Sequence, residues 1–226
     1  MKRSQVNKAI LDGIEFCKQM NFHLPPFAFF SADEWAEKGD EYDEIRDNAL
    51  GWDCTDFGGG RYHEVGLLLF TIRNGNLALA DKYEKPYCEK LLIVGEDQYT
   101  PCHYHFNKVE DIICRAGGNL LIKVWWKDEQ DGLSGKPVEV SCDGRRITVD
   151  SGATIRLTPG ESITLPQYMY HTFWAEKGTG TSLVGEVSKV NDDVSDNRFL
   201  EQLPRFSEIQ EDEAPVYLLC NEYPRS

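Results

Sequence analysis

The sequence lacks long apolar runs and clusters of basic residues. Its longest uncharged apolar stretches are short, such as 67–70 and 91–94, so no segment predicts a membrane-spanning helix. The start, Met1-Lys2-Arg3, is basic, but polar residues interrupt the region that follows, and we expect no secretory signal. The 24 Lys and Arg residues are outnumbered by 38 Asp and Glu residues, which gives a formal net charge of −14. Nucleic acid and anionic membrane surfaces are therefore not expected as partners.

The sequence also lacks a Cys-X-X-Cys pair. Its cysteines number seven, an odd total, and are scattered along the chain. This pattern is typical of reduced thiols in a cytoplasmic protein, and it argues against a disulfide framework or a thiolate zinc site. Cys102 lies beside a histidine pair described below, and its expected role is packing.

The type of secondary structure that the sequence predicts changes near residue 64. Before it, residues 5–21 have the spacing of an amphipathic helix, and Ser31-Ala32-Asp33-Glu34 matches a capping box for a second helix to about residue 49. After it, short β-rich runs alternate with turn signals, which predicts an all-β sandwich or barrel. The predicted strands are 64–73, 77–80, 88–94, 98–106, 109–115, 119–127, 137–142, 145–149, 153–158, 161–165, 169–174 and 181–188. We therefore expect a helical extension, 1–63, packed on a β-barrel of 64–226 whose C-terminal tail wraps back on it as one structural domain.

Two of the five histidines, His103 and His105, are separated by one residue. In a β-strand, residues i and i+2 point to the same side. If the chain turns at Asn107-Lys108, a polar pair suited to a tight hairpin, His105 stands opposite Glu110. Two imidazoles and a carboxylate on one face can hold a divalent first-row metal ion, although an isolated His-X-His also occurs by chance on surface strands.

A second segment, 159–171, reads as a turn, a strand, a proline-broken corner and a strand that carries His171. Together with the first segment it resembles the two signature motifs of the cupin superfamily. The positions that keep the family spacing are His103, His105, Glu110, Gly117, Gly160, Pro166 and His171. The departures are Gly95, two residues too far upstream, Tyr168 in place of a glycine and Ala175 in place of an asparagine.

The cupin resemblance implies a double-stranded β-helix, or jelly-roll, barrel and a metal site of three histidines and one glutamate. The implied ligands are His103, His105, Glu110 and His171. Such a set leaves neighbouring coordination positions of an octahedron open, which suits a catalytic ion better than a closed structural zinc site. We expect Mn²⁺, with Fe²⁺, Co²⁺ and Zn²⁺ as alternatives.

A narrower resemblance is to the D-lyxose ketol-isomerases. It rests on segments 98–105, 110–120, 185–193, 196–199 and 218–223. This resemblance implies reversible conversion of D-lyxose to D-xylulose, with D-mannose and D-fructose as a second pair. It further implies manganese and a homodimeric cytoplasmic enzyme.

The resemblance and strand parity together suggest further site residues. If a hairpin after His171 turns around 176–180, Glu186 lies on the partner strand near His171, and it is the candidate base that carries a proton between C1 and C2. Lys90 is a candidate to hold or protonate a sugar oxygen. Asp193, Arg198 and Thr100 are candidates to bind substrate hydroxyls. Each has a simpler alternative: a surface carboxylate for Glu186, an edge lysine for Lys90 and a solvated loop for the others.

Three further alternatives stay open at this point. An iron-dependent cupin dioxygenase could use the same four ligands, and a non-catalytic cupin could bind a sugar without turnover. A hydride shift could replace proton transfer through a metal-stabilised cis-enediol.

Overall fold

The computed structural model describes residues 1–225, and two antiparallel β-sheets form its body. The helices are α1 (Arg3–Gln19), α2 (Ala32–Ala36) and α3 (Asp43–Asp47), with 3₁₀ turns at Pro26–Phe29 and Asp40–Tyr42. The strands are β1 (Gly51–Thr55), β2 (Leu67–Arg73), β3 (Tyr87–Val94), β4 (His103–His105), β5 (Glu110–Gly117), β6 (Leu120–Trp126), β7 (Val138–Cys142), β8 (Arg145–Val149), β9 (Thr154–Leu157), β10 (Ser162–Leu165), β11 (Met169–Ala175), β12 (Ser182–Lys189) and β13 (Asn197–Phe199). None of the helices in these residues is long and apolar enough to cross a membrane.

The strands are shared between a large and a small sheet. The large sheet has the order β1-β2-β3-β12-β5-β10-β7-β8, and the small sheet has the order β13-β4-β11-β6-β9. A buried apolar core that includes Leu92, Ile112, Ile122 and Phe173 lies between them. This confirms the predicted mainly β, cupin-type fold.

Strand β2 explains how helix α1 attaches to the barrel. Leu67 and Leu69 belong to the core between the sheets, whereas Leu68 and Phe70 belong to a second core with α1. Because side chains alternate along a strand, an apolar run buried on both faces needs a partner on each. Helix α1 supplies the outer partner through its apolar face, which includes Ile10.

The N-terminal part differs from the expected helical extension. The capping box of Ser31 and Glu34 is present, but α2 ends at Ala36, and a 3₁₀ turn followed by the short helix α3 replaces the rest of the single helix expected to about residue 49. Residues 51–55 form β1, an edge strand of the large sheet that the sequence analysis missed. Segment 77–80, predicted as a strand, forms turns instead. The first 63 residues therefore contribute to the β-structure as well as covering it.

Two predicted hairpins are wrong, and both errors concern the site. Strands β4 and β5 lie in different sheets, so Glu110 is not a cross-strand neighbour of His105. Strands β11 and β12 also lie in different sheets, and β12 is inserted between β3 and β5. In both places the chain crosses from one sheet to the other, because each strand finds its hydrogen-bonding partners far away in sequence.

Candidate active site

The small sheet holds three histidines side by side. His171 on β11 pairs directly with His103 on β4, and His105 lies two residues further along the same face. Their ligand nitrogens all lie within 4.8 Å of one another. Within residues 1–225, this is the group of side chains with the spacing to hold a metal ion.

Backbone contacts orient two of these rings. Nδ1 of His103 lies 2.8 Å from the carbonyl oxygen of Pro101, and Nδ1 of His171 lies 3.1 Å from that of Met169. A carbonyl oxygen only accepts, so each Nδ1 donates, and in the neutral form of each ring Nε2 then carries the lone pair. This is the usual arrangement of histidines that bind a metal ion through Nε2.

The carboxylate of Glu110 reaches the histidines from the opposite sheet. Its Oε1 lies 3.3 Å from Nε2 of His105 and 3.1 Å from Nε2 of His171. Burial, together with the neighbouring His171 and His105, lowers the pKa of His103 well below its ordinary value. Burial and the charge of Lys108 likewise lower the pKa of His105. Neutral imidazoles beside a carboxylate are the donors that a divalent first-row ion prefers, so these residues fit such an ion.

Glu110 stays ionised although it is buried. Burial by itself would raise its pKa, but the ammonium of Lys108 and the imidazole of His105 outweigh that effect and hold the pKa well below its ordinary range. Nζ of Lys108 lies 2.8 Å from Oε2 of Glu110. The two carboxylate oxygens are thus divided, with Oε1 facing the imidazoles and Oε2 facing the ammonium.

Beyond Glu110, charges of alternating sign continue along the cavity, buried at Lys108, Glu186 and Lys90 and half-buried at Asp193 and Arg205. Nζ of Lys108 lies 2.7 Å from Oε1 of Glu186, which in turn lies 3.7 Å from Nζ of Lys90. Oδ2 of Asp193 lies 3.6 Å from Nζ of Lys90 and 3.3 Å from Nη2 of Arg205. Paired in this way, each charge has a partner of opposite sign, which buried ions require.

Strand register explains why Glu186 and Lys90 meet. Glu186 on β12 pairs directly with Lys90 on β3 and, on its other side, with Ile112 on β5. Directly paired residues of antiparallel strands point to the same face. Both Glu186 and Lys90 line the cavity that contains the three histidines.

The predicted substrate-binding residues are placed differently from one another. Asp193 and Thr100 line the cavity. The Thr100 hydroxyl accepts a hydrogen bond from the backbone N–H of Phe173 and contacts the Phe173 carbonyl oxygen, so the threonine also joins two segments of backbone. Arg198 on β13 is exposed and is not among the cavity-lining residues. The substrate-binding role of all three stays a prediction, and for Arg198 no contact supports it.

Sequence reasoning missed Lys108 and Arg205. Both line the cavity, and Lys108 is 3% exposed. The expected hairpin turn at Asn107-Lys108 gives Lys108 no role in the site, although its position two residues before Glu110 is a usable signal, since i and i+2 share a side in extended chain. Arg205 lies in the irregular C-terminal segment, where no sequence pattern indicates its direction.

Tyr168 replaces a motif glycine, and its backbone shows why glycine suits that position. Its φ is +62°, in the left-handed region that side chains other than glycine rarely adopt. Its backbone N–H donates to the carbonyl oxygen of His105, 3.0 Å away. The hydrogen bond from Tyr168 therefore joins the segment just before His171 to strand β4, which carries His103 and His105.

Comparison with known proteins identifies the family of this chain. The family model described as D-lyxose isomerase matches residues 1–223. A D-lyxose/D-mannose isomerase of Serratia proteamaculans is 48% identical over 226 residues, covering 100% of this chain and 99% of that protein. A protein of the same name from Escherichia coli O157:H7 is 46% identical over 224 residues, covering 99% and 98%.

Solved structures of lower identity share the fold. A Cellulomonas parahominis L-ribose isomerase, solved with L-psicose, has a TM-score of 0.62 at 16% identity and covers 93% of this chain and 98% of that one. The Geodermatophilus obscurus L-ribose isomerase has a TM-score of 0.60 at 16% identity, with the same coverage. From the match along nearly its whole length, the chain belongs to the D-lyxose isomerase family of sugar isomerases.

Proposed function

We propose that this protein is a metal-dependent aldose–ketose isomerase that interconverts D-lyxose with D-xylulose and D-mannose with D-fructose. The observation that carries the proposal is one cavity lined by three imidazoles and Glu110 together with Glu186, Lys90 and Lys108. The relatives named D-lyxose/D-mannose isomerase support the choice of sugars.

The isomerisation moves a carbonyl group between C1 and C2 of an open-chain sugar. His103, His105, Glu110 and His171 would hold the divalent ion, which when bound polarises two adjacent sugar oxygens as a Lewis acid. Glu186 takes the proton from C2 and delivers it to C1 through a cis-enediol, while Lys90 gives a proton to O1 and takes up the one that O2 loses. The ammonium groups of Lys90 and Lys108 stabilise the charge that develops on the sugar oxygens.

Charged residues favour this function over an iron-dependent dioxygenase. Lys90, Lys108, Glu186, Asp193 and Arg205 all line the cavity. An aromatic or keto substrate of an oxygenase needs an apolar surface, whereas the hydroxyls of a polyol can pair with these charged groups. Oxygen uptake measurements on the iron-loaded protein test that alternative directly.

Incubation with Mn²⁺ and D-lyxose, D-mannose or D-ribose tests the proposal. We expect xylulose and fructose to form, and we expect a chelator to abolish both products until Mn²⁺ is restored. Incorporation of deuterium from solvent at C1 or C2 distinguishes proton transfer from a hydride shift. Protein with bound metal that forms no ketose would contradict the isomerase function.

The proposal also includes the metal, the oligomeric state and the location of the protein. Manganese, a homodimer and a cytoplasmic location follow from the family resemblance, and the seven free cysteines agree with a reducing compartment. Metal analysis of protein purified without added metal tests the first, and light scattering tests the second.

A further inference from the structure

Aromatic rings line the cavity of the three histidines, called the histidine cavity below, together with the charged residues. The proposed chemistry uses the charged residues, whereas Phe57, Phe173 and Phe199 have no part in it. The volume of the histidine cavity is about 50 Å³, far below the range of about 300–1,000 Å³ that is typical of small-molecule sites. A sugar bound in so small a space contacts every wall, so the aromatic rings help to decide which sugars fit.

Ring contacts lead from the histidines to Phe57. Phe199 on β13 pairs directly with His103 on β4, and the centroids of these two rings lie 5.5 Å apart. The ring centroid of Phe57 lies 5.8 Å from that of Phe199, and the two rings are nearly perpendicular, with an interplanar angle of 69°. Phe57 is therefore the third ring of a row that begins at His103.

Hydrogen bonds place Phe57 beside Arg205. The backbone N–H of Phe57 donates to the hydroxyl oxygen of Thr55, 2.9 Å away, and the same hydroxyl donates to the carbonyl oxygen of Arg205 at 3.0 Å. Among the cavity-lining residues, Arg205 ends the row of alternating charges that begins at Glu110 beside the histidines. The ring contacts and the charge pairs are independent, and both indicate that Phe57 lies at the end of the cavity remote from the histidines.

The backbone of Phe57 is strained where it places the ring in the cavity. Its φ is +51°, in the left-handed region that residues with a Cβ atom rarely adopt. The carboxylate of Asp56 holds the turn that follows, because it accepts hydrogen bonds from the backbone N–H groups of Gly58 and Gly60. Strained conformations of this kind persist where the surrounding structure enforces them, and they are concentrated at sites of function. The strain and the cavity together indicate that this ring has a role in ligand binding.

We propose that the ring of Phe57 closes the far end of the histidine cavity and limits the length of the sugar, so that it determines the preference between five-carbon and six-carbon aldoses. This inference rests on the proposed function, in which O1 and O2 are held at the histidine end and the open chain extends away from it. The last carbon of a hexose then reaches further toward Phe57 than that of a pentose. The ring acts by its volume, so Phe57 is a specificity-determining residue and not a catalytic one.

Two substitutions shorten the side chain at position 57. Phe57→Leu keeps an apolar residue in the core, and Phe57→Gly removes the ring at a φ that glycine adopts readily. Phe70→Leu is the matched control for lost stability. Phe70 is also a buried phenylalanine, but it belongs to the core with α1 and lies outside the histidine cavity.

The first measurement is kcat/KM of the Mn²⁺-loaded proteins for D-mannose and for D-lyxose. We expect the ratio of the D-mannose value to the D-lyxose value to rise about tenfold or more in Phe57→Gly, since one methylene in an apolar pocket changes specificity by about 10–200-fold. Phe57→Leu should raise the ratio by a smaller factor, and it decides the result if Phe57→Gly does not fold. Phe70→Leu should keep the wild-type ratio. A ratio that stays constant in the Phe57 variants, or that rises equally in Phe70→Leu, would overturn the proposal.

Binding of sugar alcohols separates this inference from the proposed function, because it needs no turnover. D-Mannitol and D-arabinitol are the open-chain alcohols that correspond to D-mannose and D-lyxose, and neither can isomerise. By calorimetry, we expect the affinity for D-mannitol to rise relative to that for D-arabinitol in Phe57→Leu. That rise in a protein that forms no ketose would support the length limit and contradict the isomerase. Ketose formation with the same relative affinities and the same kcat/KM ratio in all variants would do the reverse.

Discussion

Nζ of Lys108 lies 2.7 Å from Oε1 of Glu186, although 78 positions separate the two residues in the chain. The same ammonium lies 2.8 Å from the second oxygen of Glu110. One buried cation therefore joins a metal-ligand candidate to the proposed base. Burial would lower the pKa of Lys108, but Glu110, Glu186 and Asp193 outweigh that effect and raise it, so the side chain stays charged.

Replacing Lys108 by methionine should destabilise the protein and impair catalysis. Two buried carboxylates would lose a shared partner, and breaking such a pair from one side costs about 3–5 kcal/mol. Urea unfolding at neutral pH measures this loss. Lys177→Met is the matched control, because Lys177 is 80% exposed in its contact with Asp97 and should cost little. Equal stability of the two variants would contradict the bridging role.

Glu186→Gln should lose turnover and retain bound metal. The amide cannot accept the proton from the sugar, so we expect kcat to fall by about 10²–10⁴-fold, together with solvent deuterium incorporation. Metal content is measured in the same preparation. Glu139→Gln on β7, a side chain 61% exposed, serves as the control. Full activity in Glu186→Gln would eliminate it as the base.

Mn²⁺ should stabilise the folded protein through the histidine cluster. An ion that binds only the native state adds about 2.7 kcal/mol at a concentration of one hundred times Kd, which raises Tm. His171→Ala should abolish most of this rise, since His171 is one of the three clustered histidines. His23→Ala, at an exposed histidine outside the cluster, should keep it. The measurement is the difference in Tm with and without Mn²⁺, and it requires no turnover.

The pairing of Asp193 with Arg205 and Lys90 should be visible as pH-dependent stability. Burial would raise the pKa of Asp193, but the positive charges of Arg205, Lys90 and Lys108 lower it well below its ordinary value. A lowered folded pKa means that the stabilisation is complete above the unfolded value of about 3.9 and is lost as pH falls through the folded value.

Asp193→Asn should therefore lower the free energy of unfolding by about 1–3 kcal/mol at pH 7, where two buried cations lose a partner. The difference from wild type should shrink once the pH is below the ordinary aspartate range. Asp150→Asn, at an exposed position, should show no such trend. A difference that is constant with pH would mean that the charge of Asp193 does not contribute.

Tyr168 allows a test of backbone strain. At φ +62° a Cβ atom costs roughly 1–2 kcal/mol, so Tyr168→Gly should be more stable than Tyr168→Ala by about that amount, since both lose the same ring. The neighbouring Gln167 is not among the residues with positive φ, and there alanine should be the more stable of the two. Chemical unfolding of the four variants gives the comparison.

Local patterns predicted the fold class and most strands. The periodicity of α1 and the alternation with turn signals from residue 64 onward are properties of short segments, and the structure confirms them. The capping box of Ser31 is likewise local. Strands β1 and β13 were missed because each is short and owes its extended form to neighbours distant in sequence, β2 for one and β4 for the other.

The sequence by itself determined which side chains could bind a metal ion, because parity along one strand places His103 and His105 together and motif spacing adds Glu110 and His171. Tertiary structure decided how they meet. Glu110 lies on the opposite sheet from the histidines, Lys108 is buried against Glu110 and not in the expected hairpin turn, and Arg205 reaches Asp193 from the irregular C-terminal segment. The physical reason is that strand parity is set by the backbone of a few residues, whereas the choice of sheet partner and the pairing of buried charges depend on contacts between segments far apart in the chain.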